Sequence, residues 1–364
     1  MAAVVLALAL AVPSAEASVQ VRASAGAEVD TNARRAVSVS AADSEVVTDG
    51  LVRVTAEVEG QVRGRGGHFL VGQFGVGAKR FVEEDTEDLL AFRAQLQGRL
   101  SLGRGWFLGA RGWGRLSRIR NRRRDYELGE MTAELGWRRG PFEAAAFGGG
   151  SAFGFGIEPR FDYVGLAAGG RIGWRPVPEL SLNLQGGFRL RDYSGNALVV
   201  SVPVDGDQPP RRTFCEDPEA ELARGFRCTP RNRQDDEARV GASIRWVGDF
   251  LVELGYLVRV QRSTSELENV DRHRISLMAT FALPARLDLG FRGGLQINDS
   301  VTLTDRAFLA EADENQNVLQ FHLQRPIEGP VTAELRYALF ANQFADVAAE
   351  FIRHTVYAGL IVEL

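Results

Sequence analysis

The chain has 364 residues, enough for a large core or a large barrel, and its formal net charge of -4 offers no bulk basic charge that would point to nucleic acid. Mean hydropathy is -0.12, and no apolar run reaches the roughly 18 residues that a membrane helix needs. Lys79 is the only lysine, so nearly all positive charge is carried by arginine.

Residues Ala2 to Pro13 form an apolar run too short to span a bilayer, followed by the small-x-small pattern Ala15-Glu16-Ala17. This reads as a secretory signal peptide over residues 1–17 with Ser18 as the mature start, although its positively charged first segment is missing. From there a period-two alternation begins, the mark of a strand with one apolar and one polar face. Val19, Val21, Ala23, Ala25, Ala27 and Val29 alternate with Gln20, Arg22, Ser24, Gly26 and Glu28. A second strand carries Val52, Val54, Ala56 and Val58 against Arg53, Thr55, Glu57 and Glu59, and the turn at Gly64 leads to Phe69–Lys79, whose two parities are both partly apolar.

The same unit recurs at Leu90 to Leu102 and, after Gly103-Arg104-Gly105, from Trp106 to Leu116. A basic loop precedes Met131 to Trp137, and Arg139-Gly140-Pro141 turns into a Gly-rich strand from Phe142. Tyr163 to Trp174 returns to a turn near Pro176, and Leu180 to Leu190 leads into the longest insertion, residues 193–237. That insertion holds both cysteines, Cys215 and Cys228. In an exported chain their spacing favours a disulfide closing a small loop, which would remove about 3 kcal/mol of loop entropy. The loop then reads either as a lid, constriction or plug, or as a surface loop stapled against proteolysis.

Arg239 to Trp246 and Phe250 to Gln261 make the clearest hairpin, with Val240, Ala242, Ile244 and Trp246 on one face and Arg239, Ser243 and Arg245 on the other. The short Gly248-Asp249 turn sets Trp246 opposite Phe250. A strand of about 12 residues at about 3.3 Å each, tilted near 45°, gives a height of about 28 Å, the apolar thickness of a membrane barrel. His273 to Leu283, Leu287 to Ile297, Val318 to Gln324, Val331 to Asn342 and Phe351 to Leu364 complete about 16 strands.

The connections point to an all-β, single transmembrane antiparallel up-and-down barrel over residues 18–364. Short turns at Gly64, Gly103, Gly140, Pro176, Gly248, Pro284 and Pro326 alternate strictly with longer polar loops. A sandwich or propeller has shorter strands and no reason to segregate its loop lengths. Trp106, Trp137, Phe142, Trp174, Trp246 and Phe250 all fall at the short-turn ends on the apolar parity, where an interfacial girdle belongs. Trp113 is the one tryptophan outside this rule.

With these features the chain resembles the porin-like outer-membrane β-barrel proteins of Gram-negative bacteria, over essentially its whole mature length. Val356, Ala358, Leu360, Val362 and Leu364 alternate around Tyr357 and look like that family's C-terminal assembly signal, ending on Leu364 where the family usually ends on Phe. The resemblance implies an outer-membrane location, lipid contact, assembly by the barrel-assembly machinery through the last strand, and passage of solutes or ions without a cofactor or bound metal.

If the polar parity faces the lumen, its charges segregate along the chain. Glu57 and Glu59 come first, then Arg93, Arg99, Arg111 and Arg115, then Glu130, Glu134 and Glu143, and then Arg189, Arg191, Arg239, Arg245 and Arg259. Such clusters either create a transverse field that sets ion preference or neutralise each other in cross-strand pairs. Three functions are compatible: a porin-like channel, an export conduit for a polymer such as a polysaccharide with periplasmic partners, and a surface-anchoring barrel with a closed lumen. Catalysis is not expected, because the four histidines (His68, His273, His322 and His354) show no grouping with a nucleophile. Acidic loops at Glu83-Glu84-Asp85 and Asp313-Glu314 are read as solvated charge rather than calcium sites.

Overall fold

In the computed structural model the described residues are 16–32, 47–120, 125–156, 159–200, 219, 226–265, 268–300, 317–342 and 351–364. Sixteen antiparallel strands close into one barrel in sequence order, with the last paired to the first. They are β1 (Glu16–Asp30), β2 (Asp49–Arg63), β3 (Phe69–Phe81), β4 (Leu89–Gly103), β5 (Trp106–Ile119), β6 (Tyr126–Arg139), β7 (Phe142–Phe155) and β8 (Tyr163–Val177). Then follow β9 (Leu180–Val200), β10 (Phe226–Val247), β11 (Phe250–Ser263), β12 (Val270–Leu283), β13 (Leu287–Ser300), β14 (Asn317–Glu328), β15 (Val331–Asn342) and β16 (Phe351–Glu363).

The register turns the sequence alternation into two surfaces. Val240, Ala242 and Ile244 pair with Val258, Tyr256 and Leu254, so one parity of each strand forms a continuous outer face. On that face large apolar side chains stay exposed, among them Val19, Leu100, Met131, Leu166, Val240 and Leu360. A soluble protein would bury them, and a contiguous apolar surface of this size requires a membrane. Closure leaves no strand edge inside that apolar environment. The strand with ambiguous facing is settled by its partners: Val54 and Ala56 of β2 pair with Ala78 and Val76 of β3, so Phe74, Val76 and Ala78 face out and Gln73 and Lys79 face in.

Seam closure uses buried charge. Asp30 on β1 is fully buried and accepts hydrogen bonds from the Arg353 guanidinium on β16, whose Nε donates at 2.8 and 2.9 Å. Next to it, Glu28 accepts from Arg53 at 2.8 Å and Lys79 at 3.1 Å. At the other end of the seam, Val21 and Leu364 exchange backbone hydrogen bonds of 2.9 and 2.8 Å.

Two expectations are corrected. Strand pairing occupies both ends of the 193–237 segment assigned to a loop, because β9 reaches Val200 and β10 starts at Phe226. There the outward residues Asn232, Gln234 and Asp236 are polar, so this stretch stands beyond the apolar belt. It carries a buried rim cluster instead: Arg233 donates to Asp235 at 2.8 Å and to Glu268 at 3.0 Å, and Gln261 donates to Asp235 at 2.9 Å. From Arg231 to Glu237 the sequence is polar on both parities, which is why it reads as loop. Second, Trp246 lies opposite Val252, and Phe250 opposite Phe281 of β12. Val247 pairs with Leu251, so the turn is centred on Asp249, one residue later than an opposed Trp246 and Phe250 would require. Residues 1–15, Cys215 and Asp313-Glu314 lie outside the described residues, so the signal-peptide reading and the second acidic loop find no structural counterpart here. β1 itself begins at Glu16, two residues before the expected mature start.

Candidate functional site

The inward parity forms the candidate site, a lumen wall of charged, amide and glycine residues. Glu57 and Glu59 sit on β2, Arg93 and Arg99 on β4, Arg111 and Arg115 on β5, Glu130 and Glu134 on β6, Arg189 and Arg191 on β9, Arg245 on β10 and Arg259 on β11. All fall on the parity opposite the outward apolar residues of their strands, as the pairing of Leu108 with Leu100 and Leu135 shows for β4 to β6.

The wall's carboxylates are mostly held by arginine, but rarely by the directly opposed one. Glu130 on β6 binds Arg189 on β9 at 3.1 Å, three strands away. Long reach is possible because the intervening inward residues are small: Ser151 and Gly149 on β7, and Gly165 and Ala167 on β8, occupy the rows between them. Arg171 on β8 likewise reaches past β7 to Glu134 at 3.1 Å and also holds Glu143 at 3.0 Å. Arg99 approaches Glu143 at 3.6 Å, and Arg191 meets Glu237 at 3.2 Å. Of the two readings of the charge blocks, pair neutralisation therefore describes Glu130, Glu134 and Glu143: the first two use partners that skip strands, and Glu143 is held by Arg138 and Arg171 on its neighbouring strands.

Arg93 and Arg111 behave differently. Both donate to a single neutral acceptor, the Gln95 amide oxygen, each at 3.3 Å. Among the described residues no carboxylate lies within ion-pair distance of either, and both are exposed to the lumen. Glu57 also has no ion-pair partner among the described residues, and Glu59 accepts from Gln73. Arg245 makes a loose 3.9 Å contact with Glu253.

Inward rings fill the space left by neighbouring glycines. A Cβ on Gly136 would fall 2.1 Å from the Phe107 ring, and one on Gly290 would fall 1.9 Å from His322. These are aromatic side chains laid flat over strand glycines, a device that keeps the sheet continuous where no side chain is present. Arg99 stacks on Phe107, with its guanidinium 3.3 Å from the ring centroid.

Reading from sequence missed part of the site: Glu28, Arg53 and Lys79 near the seam, Arg171, the rim pair Arg233 and Asp235, and Arg272, Arg274 and Arg292 on β12 and β13. Glu28, Arg53, Arg272, Arg274 and Arg292 lie on the polar parity of their strands, so the alternation marks them, whereas Lys79 sits on a strand of ambiguous facing and Arg233 and Asp235 in a stretch polar on both parities. The signal absent from the alternation is distance: which strand a long side chain reaches depends on the small residues between.

The six girdle aromatics all occupy the outer face at the short-turn end. Phe142 stacks on Trp174 at 6.1 Å, and Trp106 pairs directly with Trp137. Of the histidines, His273 and His354 face out and share hydrogen bonds with Tyr256 at 2.8 Å and Tyr337 at 2.9 Å. His68 accepts from the Ser101 backbone at 3.1 Å. Cys228 lies on β10, paired in register with Leu198.

No family model and no curated protein matches the chain. Its backbone is similar to solved outer-membrane barrels over nearly its whole length. OmpT, an outer-membrane protein of Vibrio cholerae in its trimer form, is 10% identical, with 96% of this chain and 99% of that chain covered (TM-score 0.42). A bacterial polysaccharide outer membrane secretin is 9% identical, covering 95% and 98% (TM-score 0.43). A mutant Rh. blastica porin is 10% identical, covering 96% and 100% (TM-score 0.38). Similarity at this level leaves the class to be decided by the barrel itself. A closed, antiparallel, sixteen-strand barrel with an apolar outside, a charged inside and short turns gathered at one end is a transmembrane β-barrel of the bacterial outer-membrane type. That architecture places the protein in an outer membrane.

Proposed function

We propose that the protein is an outer-membrane channel passing solutes or ions through its Arg/Glu-lined lumen. The supporting observation is the wall itself: Arg93 and Arg111 point exposed, unneutralised cations into an interior that a sealed structural barrel would fill with paired or apolar groups. Sixteen strands are also enough to enclose an aqueous path, as barrels of this size do. The chemistry is passage rather than catalysis, with no cofactor, and the wall's arginines supply orientation and charge discrimination.

Membrane lipid is the partner of the outer face, with Trp106, Trp137, Phe142, Trp174, Trp246 and Phe250 as its interfacial contacts. β16 serves as the segment read by the barrel-assembly machinery. Cys215 and Cys228 form a disulfide in the mature protein. Thiol alkylation with and without prior reduction tests this, and two alkylated cysteines without reduction would refute it. The channel reading is tested by efflux of small sugars and salts from liposomes carrying the folded protein. Release faster than from protein-free liposomes is expected, and no release would contradict it.

A further inference from the structure

The whole chain is net negative, yet the lumen wall is not. Much of the acidic charge sits in loops outside the strands, for example Glu83, Glu84, Asp85 and Glu87. Inside, the carboxylates Glu28, Asp30, Glu130, Glu134, Glu143, Glu237 and Glu334 are each within ion-pair distance of arginine or lysine. Removing those pairs leaves an unequal remainder. Arg63, Arg93, Arg111, Arg175, Arg239, Arg274 and Arg292 stand on the lumen parity of their strands with no ion-pair partner among the described residues, against Glu16, Asp49, Glu57, Glu59 and Asp288 of opposite sign.

The placement of the arginines adds a second, independent observation. Arg239 of β10 pairs in register with Arg259 of β11, and Arg259 pairs with Arg272 of β12. Three guanidinium side chains thus start from one row on one face of the sheet. Across β4 and β5, Arg93 and Arg115 are opposed in the same way. Like charges directly opposite destabilise a strand pair. Two such arrangements gather guanidinium groups in one wall, and a low-dielectric wall focuses their potential into the lumen. β12 and β13, which carry Arg274 and Arg292, lie half the barrel from β4 and β5 in the strand order, so arginines stand on opposite sides of the wall.

We infer that the lumen prefers anions, and that its transported class is small anionic solutes such as inorganic anions and organic carboxylates or phosphates. This rests on the channel reading above. The Arg239–Arg259–Arg272 row and the Arg93–Arg111 pair set the preference, and Glu57 and Glu59 oppose it.

The test is the reversal potential of the full-length folded protein in a planar bilayer separating unequal potassium chloride solutions at neutral pH. The expected sign is that of chloride permeating faster than potassium. Arg93→Gln with Arg111→Gln, and separately Arg239→Gln with Arg259→Gln, are expected to move the potential toward the potassium side, while Glu57→Gln with Glu59→Gln moves it further toward chloride. Arg93 and Arg111 are exposed and make no ion pair, so the first double variant tests selectivity without disturbing the fold. A channel that conducts but favours potassium would overturn the inference and leave the channel reading standing. Anion preference unchanged in both arginine variants would overturn the assignment to these residues. Absence of any conductance would overturn the channel reading itself, and the inference with it.

Discussion

Phe107 shows how tightly single positions are specified in a wall one side chain thick. Its ring lies where a side chain on Gly136 would be, and Arg99 stacks on it. Gly136→Val displaces the Phe107 ring from its place, an overpacking change that costs about 1–3 kcal/mol. A lower unfolding temperature is expected in heat-dependent gel mobility, whereas a wild-type value would show that the ring moves freely. Facing was legible residue by residue: Arg93, Glu130 and Arg189 each stand on the parity the alternation assigns them. Pairing was not legible. Glu130 meets Arg189 three strands away, because glycine, alanine and serine clear the rows between them, and nothing local to either residue records that distance.

Among the elements, the closing pair β1 and β16 and the tall pair β9 and β10 depend most on charge. Asp30 is wholly enclosed, so removing its partner leaves a buried anion, a change that costs about 3–5 kcal/mol in other proteins. Arg353→Gln is expected to destabilise the barrel by that amount, and the double variant Asp30→Asn with Arg353→Gln by less. Equal losses would show that the charge itself is not what matters at the seam. At the rim, burial pushes the Asp235 carboxyl up, but Arg233 beside it outweighs this and holds it below the usual carboxylate range. A depressed carboxyl contributes stability above its unfolded pKa of about 3.9 and loses that contribution as pH falls through the lower folded value. Amide exchange in the upper parts of β9 and β10 is therefore expected to stay slow at pH 5 and to quicken only below about pH 4. The same stretch explains why strand existence was readable but strand length was not. The alternation stops being apolar at Ala238, while backbone pairing continues to Phe226 through groups that the rim cluster buries.

For the molecule as a whole, the segregation of short turns from long loops carried the topology, and sixteen strands in sequence order follow from it. The girdle tests orientation in the bilayer. Tryptophan emission is expected to be quenched strongly by lipids brominated near the headgroup and weakly by lipids brominated near the chain end. The reverse depth order would remove Trp106, Trp137, Trp174 and Trp246 from the interface. What the alternation could not supply is the balance of charge along the lumen, since that emerges only after the ion pairs are matched and Arg93 and Arg111 remain. Single-channel recording of the purified, folded protein in a planar bilayer tests the channel reading, on which that balance depends, most directly. Discrete conductance steps in symmetric potassium chloride are predicted, and a folded barrel that inserts without conducting would contradict the account.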